Sequence, residues 1–350
     1  MVKYVKYVLL SLGMVGLLML GQGLGLQGTW PTSQQERFVA RVPQDFPTIQ
    51  AAIDAVAEGS TVLIGPGTYK ETIKITKSLR LVGAGRERVK IHPRDDDPLP
   101  LYYGTASITV EAKEEEPIEV YLAGFSLERL ETGELRDGIS LGLAQAIVQD
   151  VSISGYYNGL VGGRNVILSR VSFYRNAIGV IWSNSLTVHN SLFDDNGVGI
   201  NSFLAENLEV RQSLFVRNGI AIAIFDWRSS GERELMGNVM KGNKVGLYLA
   251  LGPTSDIQEE LKAANQSELG PSPITMSDNK IVGNGDYGIA LAHSGCLNEE
   301  PFVFYPFSLI SFFAKQKVLV AFWERNNTIR NNGKGDLCPP DYPWPPGFRK

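Results

Sequence analysis

An asparagine recurs four times in this chain at the centre of one local pattern, in the segments FYRNAIGV, FDDNGVGI, FVRNGIAI and MKGNKVGL around Asn176, Asn196, Asn218 and Asn243. An apolar residue precedes each Asn by three places, and a small residue follows it by three. Leu168, Val188, Val210 and Leu235 stand eight places before, and Val180, Ile200, Ile222 and Leu247 four places after. The Asn positions are 20, 22 and 25 residues apart, the spacing of a solenoid whose units bury their apolar faces against one another. Nothing in the unit has the length or the period of about 3.6 residues that a helix needs. Short β-branched runs broken by Asn, Gly and Ser predict strands instead.

Strands stacked coil upon coil give an all-β fold, a parallel β-helix, in which equivalent side chains form columns about 4.8 Å apart. Phe173, Phe193, Phe215 and Met240 form one inward column. The Asn column, continued by Asn284, falls at a tight turn, where Asn tolerates unusual backbone angles and its amide bonds to its stacked neighbours. Gly179, Gly199, Ala221 and Gly246 mark the bend into the next strand.

A solenoid grows by adding coils, so 350 residues are read as one elongated domain. The formal net charge of −4 leaves no electrostatic footprint for nucleic acid. The basic and then apolar start, MVKYVKYVLLSLGMVGLLML, has the form of a secretory signal or N-terminal anchor over residues 1–27. The folded part is accordingly expected to be exported, to the periplasm, the cell surface or the medium, with membrane contact only through an uncleaved leader. Residues 28–41 form a linker. The two cysteines, Cys296 and Cys338, would pair in an oxidising compartment and tie the Pro-rich tail to the last coil.

After the linker, Thr48 is placed to cap a short helix with Ile49, Ala52, Ile53 and Val56 on one face and Gly59 at its stop, a lid for the open end of the solenoid. The block from Val42 to about His92 carries Thr48-Ile49-Gln50-Ala51-Ala52-Ile53, Gly65-Pro66-Gly67-Thr68-Tyr69-Lys70-Glu71 and Leu81-Val82-Gly83-Ala84-Gly85. It resembles the N-terminal coil of right-handed parallel β-helix proteins of the pectin-lyase type. The Asn-Gly coils resemble the repeats of carbohydrate-binding and sugar-hydrolase β-helix families, including the NosD type. The resemblance implies a single-stranded right-handed parallel β-helix over residues 42–295, with an insertion at 253–274. Residues 296–350 would hold an aromatic insertion, a last coil and a Pro-rich cap.

Alternation along the strand after each Gly gives the outward positions Ile181, Ser183, Asn201, Phe203, Ala223, Phe225, Tyr248, Ala250, Ala290 and Ala292. Asp226, Trp227, Arg228 and His293 follow at the strand end. Asn201, Phe203, Phe225, Trp227 and Tyr248 are the ligand-binding candidates, with rings to stack on sugar faces and polar groups to read hydroxyls. Asp226, Arg228 and His293 are the catalytic candidates. The expected partner is a polysaccharide or cell-surface glycan. The same rings packing beneath the insertions, with Asp226 paired to Arg228, remains an alternative.

The activity stays open between binding, a polysaccharide lyase or glycoside hydrolase, and a rigid surface rod without catalysis. Hydrolysis needs two carboxyl groups flanking one bond, and Asp194-Asp195 lies in a turn where Asp is ordinary. The Gly-x-Tyr-x-Glu block is shared with pectin methylesterases, but their downstream Gln and paired Asp motifs have no counterpart. No cofactor is expected; a lyase would add calcium. The NosD resemblance raises copper, yet after the leader the chain offers a metal site only His92, His189 and His293, a few scattered Met and two cysteines expected to pair, and no metal site is expected.

Overall fold

The computed structural model describes residues 38–94, 106–130, 137–181, 184–203, 205–226, 231–251, 272–292, 296–297 and 320–349. Residues 1–37, which hold the expected leader and most of the expected linker, lie outside them, as do most of both expected insertions; the end of the expected linker is not a linker, because Val39–Val42 forms the first strand of sheet 1. The described strands wind through three parallel sheets of eleven, ten and ten strands. Sheet 1 runs from Val39–Val42 to Val320–Arg325, sheet 2 from Gly67–Lys70 to Thr328–Arg330, and sheet 3 from Ile73–Ile75 to Gly335–Cys338. The chain visits them in turn, so each strand pairs with its equivalents one coil before and one coil after.

The three apolar columns of the repeat fall on the three sheets. Leu168, Val188, Val210 and Leu235 are in register on sheet 1. Phe173, Phe193, Phe215 and Met240 are in register on sheet 2, and Val180, Ile200, Ile222 and Leu247 on sheet 3. All twelve are buried in one continuous core. Phe193 stacks on Phe173 and Phe215 with centroids 5.0 and 4.6 Å away and interplanar angles of 11° and 5°. Gly179 and Gly199 lie inside sheet 3 strands, not at a bend before them. A Cβ on Gly199 would come within 2.5 Å of the Ala221 carbonyl and 3.0 Å of the Phe215 ring, so the column is small where backbone and ring crowd it.

The Asn ladder forms, with one correction to its backbone. The residue with positive φ is the one before the Asn: Arg175, Asp195 and Arg217 lie at +52°, +57° and +56°. The Asn itself serves through its side chain. Asn196 Oδ1 accepts from the backbone N–H and Nδ2 of Asn176, and its Nδ2 donates to the Phe173 carbonyl and to Asn218 Oδ1. The same pattern passes through Asn218, Asn243, Asn284 and Asn332 and ends on Asp336 Oδ1. A second ladder turns the corner between sheets 1 and 2. The N–H groups of Val171, Ser191, Ser213, Asn238 and Asn279 donate in turn to Ser191, Ser213, Asn238, Asn279 and Asn327 side chains. Its signal is in the sequence: Ser or Asn stands two places before the inward residue of sheet 2 from Phe193 onward, as Ser191, Ser213, Asn238, Asn279 and Asn327.

Both ends of the described coil are closed. The helix Ile49–Ala55 is capped by Thr48 Oγ1, which accepts from the Ala51 N–H, and it buries Ile49, Ala52 and Ile53. Glu71 accepts from the N–H groups of Ile49 and Gln50 at 2.9 and 3.0 Å. The Gly-x-Tyr-x-Glu block therefore anchors the lid: Tyr69 donates to the Gly65 carbonyl and Glu71 holds the first turn of the helix. At the far end, the buried rings of Trp344 and Phe348 pack on Phe322. Cys296 and Cys338 form a disulfide. Two strands begin inside the expected insertions: Ser272–Ser277 and Val320–Arg325 already pair on sheet 1.

Candidate functional site

The outer face of sheet 3 was the expected ligand face, and the structure closes it. Asn201, Ala223, Tyr248 and Ala290 are in register, with Phe203 beside Phe225, so their outward register is as expected. Their exposure is not. Asn201, Phe203 and Tyr248 are only 1, 6 and 1 % exposed, and Phe225 is half-buried. Tyr248 belongs to a second apolar cluster with Ile178, Val198, Ile220, Ala223, Ala290 and both cysteines, and Phe225 packs against it. Phe225 packs against Phe203 and Tyr248 at 6.5 and 5.7 Å between centroids. The physical reason is composition: unlike a half-solvated strand, these carry apolar residues on both faces. Among the described residues, Asn201 Oδ1 and Nδ2 are buried without a hydrogen-bond partner. Asp226 ends its strand beside Leu251; its side chain, and all of Trp227, Arg228 and His293, lie outside the described residues.

The outer face of sheet 1 is open, and its strands alternate buried and accessible positions coil after coil. Three outward columns run along it. Gln145, Asn165, Ser185 and Asn207 form a column of amides and hydroxyls, in which Asn165 donates to Gln145 and Asn207 to Ser185 at 3.3 and 3.2 Å. Tyr121, Ile147, Ile167 and Thr187 form the central column, with Ile147 38 % exposed. Gln149, Ser169 and His189 form the third. The result is an apolar stripe between two rows of hydrogen-bonding groups, each row repeating at the strand spacing of about 4.8 Å. Arg80 lies over the Tyr121 ring, 4.0 Å from its centroid.

The central column continues through Glu209, Glu234 and Thr275 to Trp323, which is 69 % exposed. Arg211 reaches Glu209 and Glu234 at 2.6 and 2.7 Å, and His189 Nε2 lies 3.9 Å from Glu209. One guanidinium thus bridges two carboxylates on adjacent coils. Sequence reading passed over this face because its residues are individually ordinary; its signal is the column register.

A separate polar group lies at the N-terminal end of sheet 3's outer face. Asn158 Nδ2 donates to Asp137 Oδ1 at 2.8 Å. Burial raises the Asp137 carboxyl above its ordinary range against the opposing hydrogen bonds of Asn158. Burial, then the charge of Asp137, pushes the Tyr157 hydroxyl up to about 12. Among the described residues no group of three or more His, Cys, Asp or Glu is placed to hold a metal ion, and no helix is long and apolar enough to cross a membrane.

Residues 132–260 match a family model described as right handed beta helix region. No curated protein matches this chain. Similar solved structures include pectin methylesterase PemA from Erwinia chrysanthemi, at 14 % identity over 85 % of this chain and 92 % of that one, TM-score 0.38. The rice weevil pectin methyl esterase is 13 % identical over 88 % and 91 % of the two chains, TM-score 0.41. An alginate lyase from Paenibacillus sp. is 13 % identical over 82 % and 93 %, TM-score 0.39. Likeness at this level concerns the fold alone.

Proposed function

We propose that this chain, a right-handed parallel β-helix of the pectin-lyase-like superfamily, binds an extended polysaccharide or surface glycan along the open face of sheet 1. The observation that carries the reading is the accessible three-column face from Tyr121 to Asn207. A sugar ring has apolar C–H faces and hydroxyl edges. The central column of Tyr121, Ile147 and Ile167 meets the first, and the flanking amides and hydroxyls meet the second. A rigid face also needs little ordering on binding. Binding is favoured over cleavage because the groups that repeat along this face are amides, hydroxyls and apolar side chains, while Glu209 and Glu234, the carboxylates opposite each other in register, are both engaged by Arg211.

The test is retention in affinity electrophoresis through gels containing neutral or acidic polysaccharides. Ile147→Asp places a charge in the apolar stripe at an exposed site, and is expected to abolish retention while leaving the melting temperature unchanged. Unchanged retention of that variant would remove sheet 1 from the site. A parent protein retained by no polymer would return the chain to the reading of a structural rod.

A further inference from the structure

We infer that the glycan taken by sheet 1 is an uncharged polymer and not a polyuronate, an inference that rests on the reading of sheet 1 as the binding face. The charges on that face decide it. From Glu119–Ala123 to Glu232–Met236, the outward positions of the six consecutive strands carry four carboxylates, Glu119, Glu209, Glu232 and Glu234, against one guanidinium, Arg211. Arg211 is already engaged by two of those carboxylates. A polyuronate presents one carboxylate per sugar, so a matching face needs cations repeating at the rung spacing. Here the repeating groups at the rungs are Gln145, Asn165, Ser185 and Asn207. An amide or hydroxyl both donates and accepts, which suits a hydroxyl and supplies no countercharge for a carboxylate.

The cations at the margins do not change the balance. Arg170 makes a bidentate pair with Asp150, at 2.7 Å for both contacts. Arg325 lies 3.7 Å from Asp278, and Arg80, one rung before Tyr121 in the central column, is a single cation spread over that ring. Glu119 and Glu232 stand at opposite ends of the amide column and are both exposed, so an anionic chain laid along it would meet a like charge at each end. Like-charge juxtaposition is an effective means of rejecting a wrong partner.

The experiment uses the full chain and two sets of soluble probes: neutral β-linked glucans, mannans and xylans, and polygalacturonate with alginate. Retention by at least one neutral polymer, weaker by at least about tenfold for both polyuronates and unchanged between low and high salt, is expected. The double variant Glu119→Gln/Glu232→Gln should narrow that preference without weakening neutral binding. Preferred retention by a polyuronate, lost on adding salt and on Ile147→Asp, would overturn the charge argument while leaving sheet 1 as the binding face. Retention by neither set, or retention indifferent to Ile147→Asp, would overturn both.

Discussion

Replacing Asn196 with Ala removes four hydrogen bonds at the centre of the Asn ladder. Its Oδ1 holds the N–H and Nδ2 of Asn176 at 3.0 and 3.1 Å, and its Nδ2 holds the Phe173 carbonyl and Asn218 Oδ1, both at 3.0 Å. The partners fare differently afterwards. Asn176 Nδ2 keeps the Ile153 carbonyl, and Asn218 Oδ1 keeps the N–H at position 196. The Asn176 N–H and the Phe173 carbonyl lose their amide partner at a corner where Asn196 is 3 % exposed. At about 1–3 kcal/mol for each stripped buried group, the loss is about 2–6 kcal/mol. Urea denaturation followed by circular dichroism measures it, with Asn207→Ala on the exposed amide column as a control expected to stay within about 0.5 kcal/mol. Amide hydrogen exchange at Asn176 gives a second, local readout. A loss below about 0.5 kcal/mol for Asn196→Ala, with exchange at Asn176 unaltered, would refute the claim that the ladder holds the coils together.

Asp137 is raised by burial, so the folded protein binds its proton more tightly than the unfolded chain. Its contribution is therefore lost as pH rises from the unfolded carboxylate value of about 3.9 through the raised folded one; Asp137→Asn should raise the melting temperature at neutral pH and leave it unchanged in acid. Glu71→Ala strips two N–H groups at the start of the lid helix and should cost about 0.5–2 kcal/mol in urea melts. Cys338→Ser opens a loop closed across 42 residues, and should cost about 4 kcal/mol on the chain-entropy model, read from urea melts of oxidised parent and variant.

Much of the solenoid was legible in the sequence because its determinants repeat. Phe173, Phe193 and Phe215 announce a stacked column by their common distance from an Asn, and Thr48 with Ile49, Ala52 and Ile53 announces a lid by helical spacing. The αL residue was misplaced by one position because Asn can fill either role at a turn, and only the backbone distinguishes Asn196 from Asp195. The Ser and Asn ladder beginning at Ser191 was overlooked because its members change identity from coil to coil while their acceptor oxygen stays in place.

The sequence by itself determined the inward side of this protein. An inward position is set by its neighbours within the coil and by the coil period, both of which are local quantities. It also set the outward register of Asn201, Phe203 and Tyr248. Only the tertiary structure decided which outward surface meets solvent. Alternation states that a side chain leaves the coil, not what it then packs against. On sheet 3 the rings of Phe203 and Tyr248, which looked suited to a ligand, are buried, and the plainer residues on sheet 1 are left open. Accessibility is a property of everything that surrounds a strand, and no single repeat contains it.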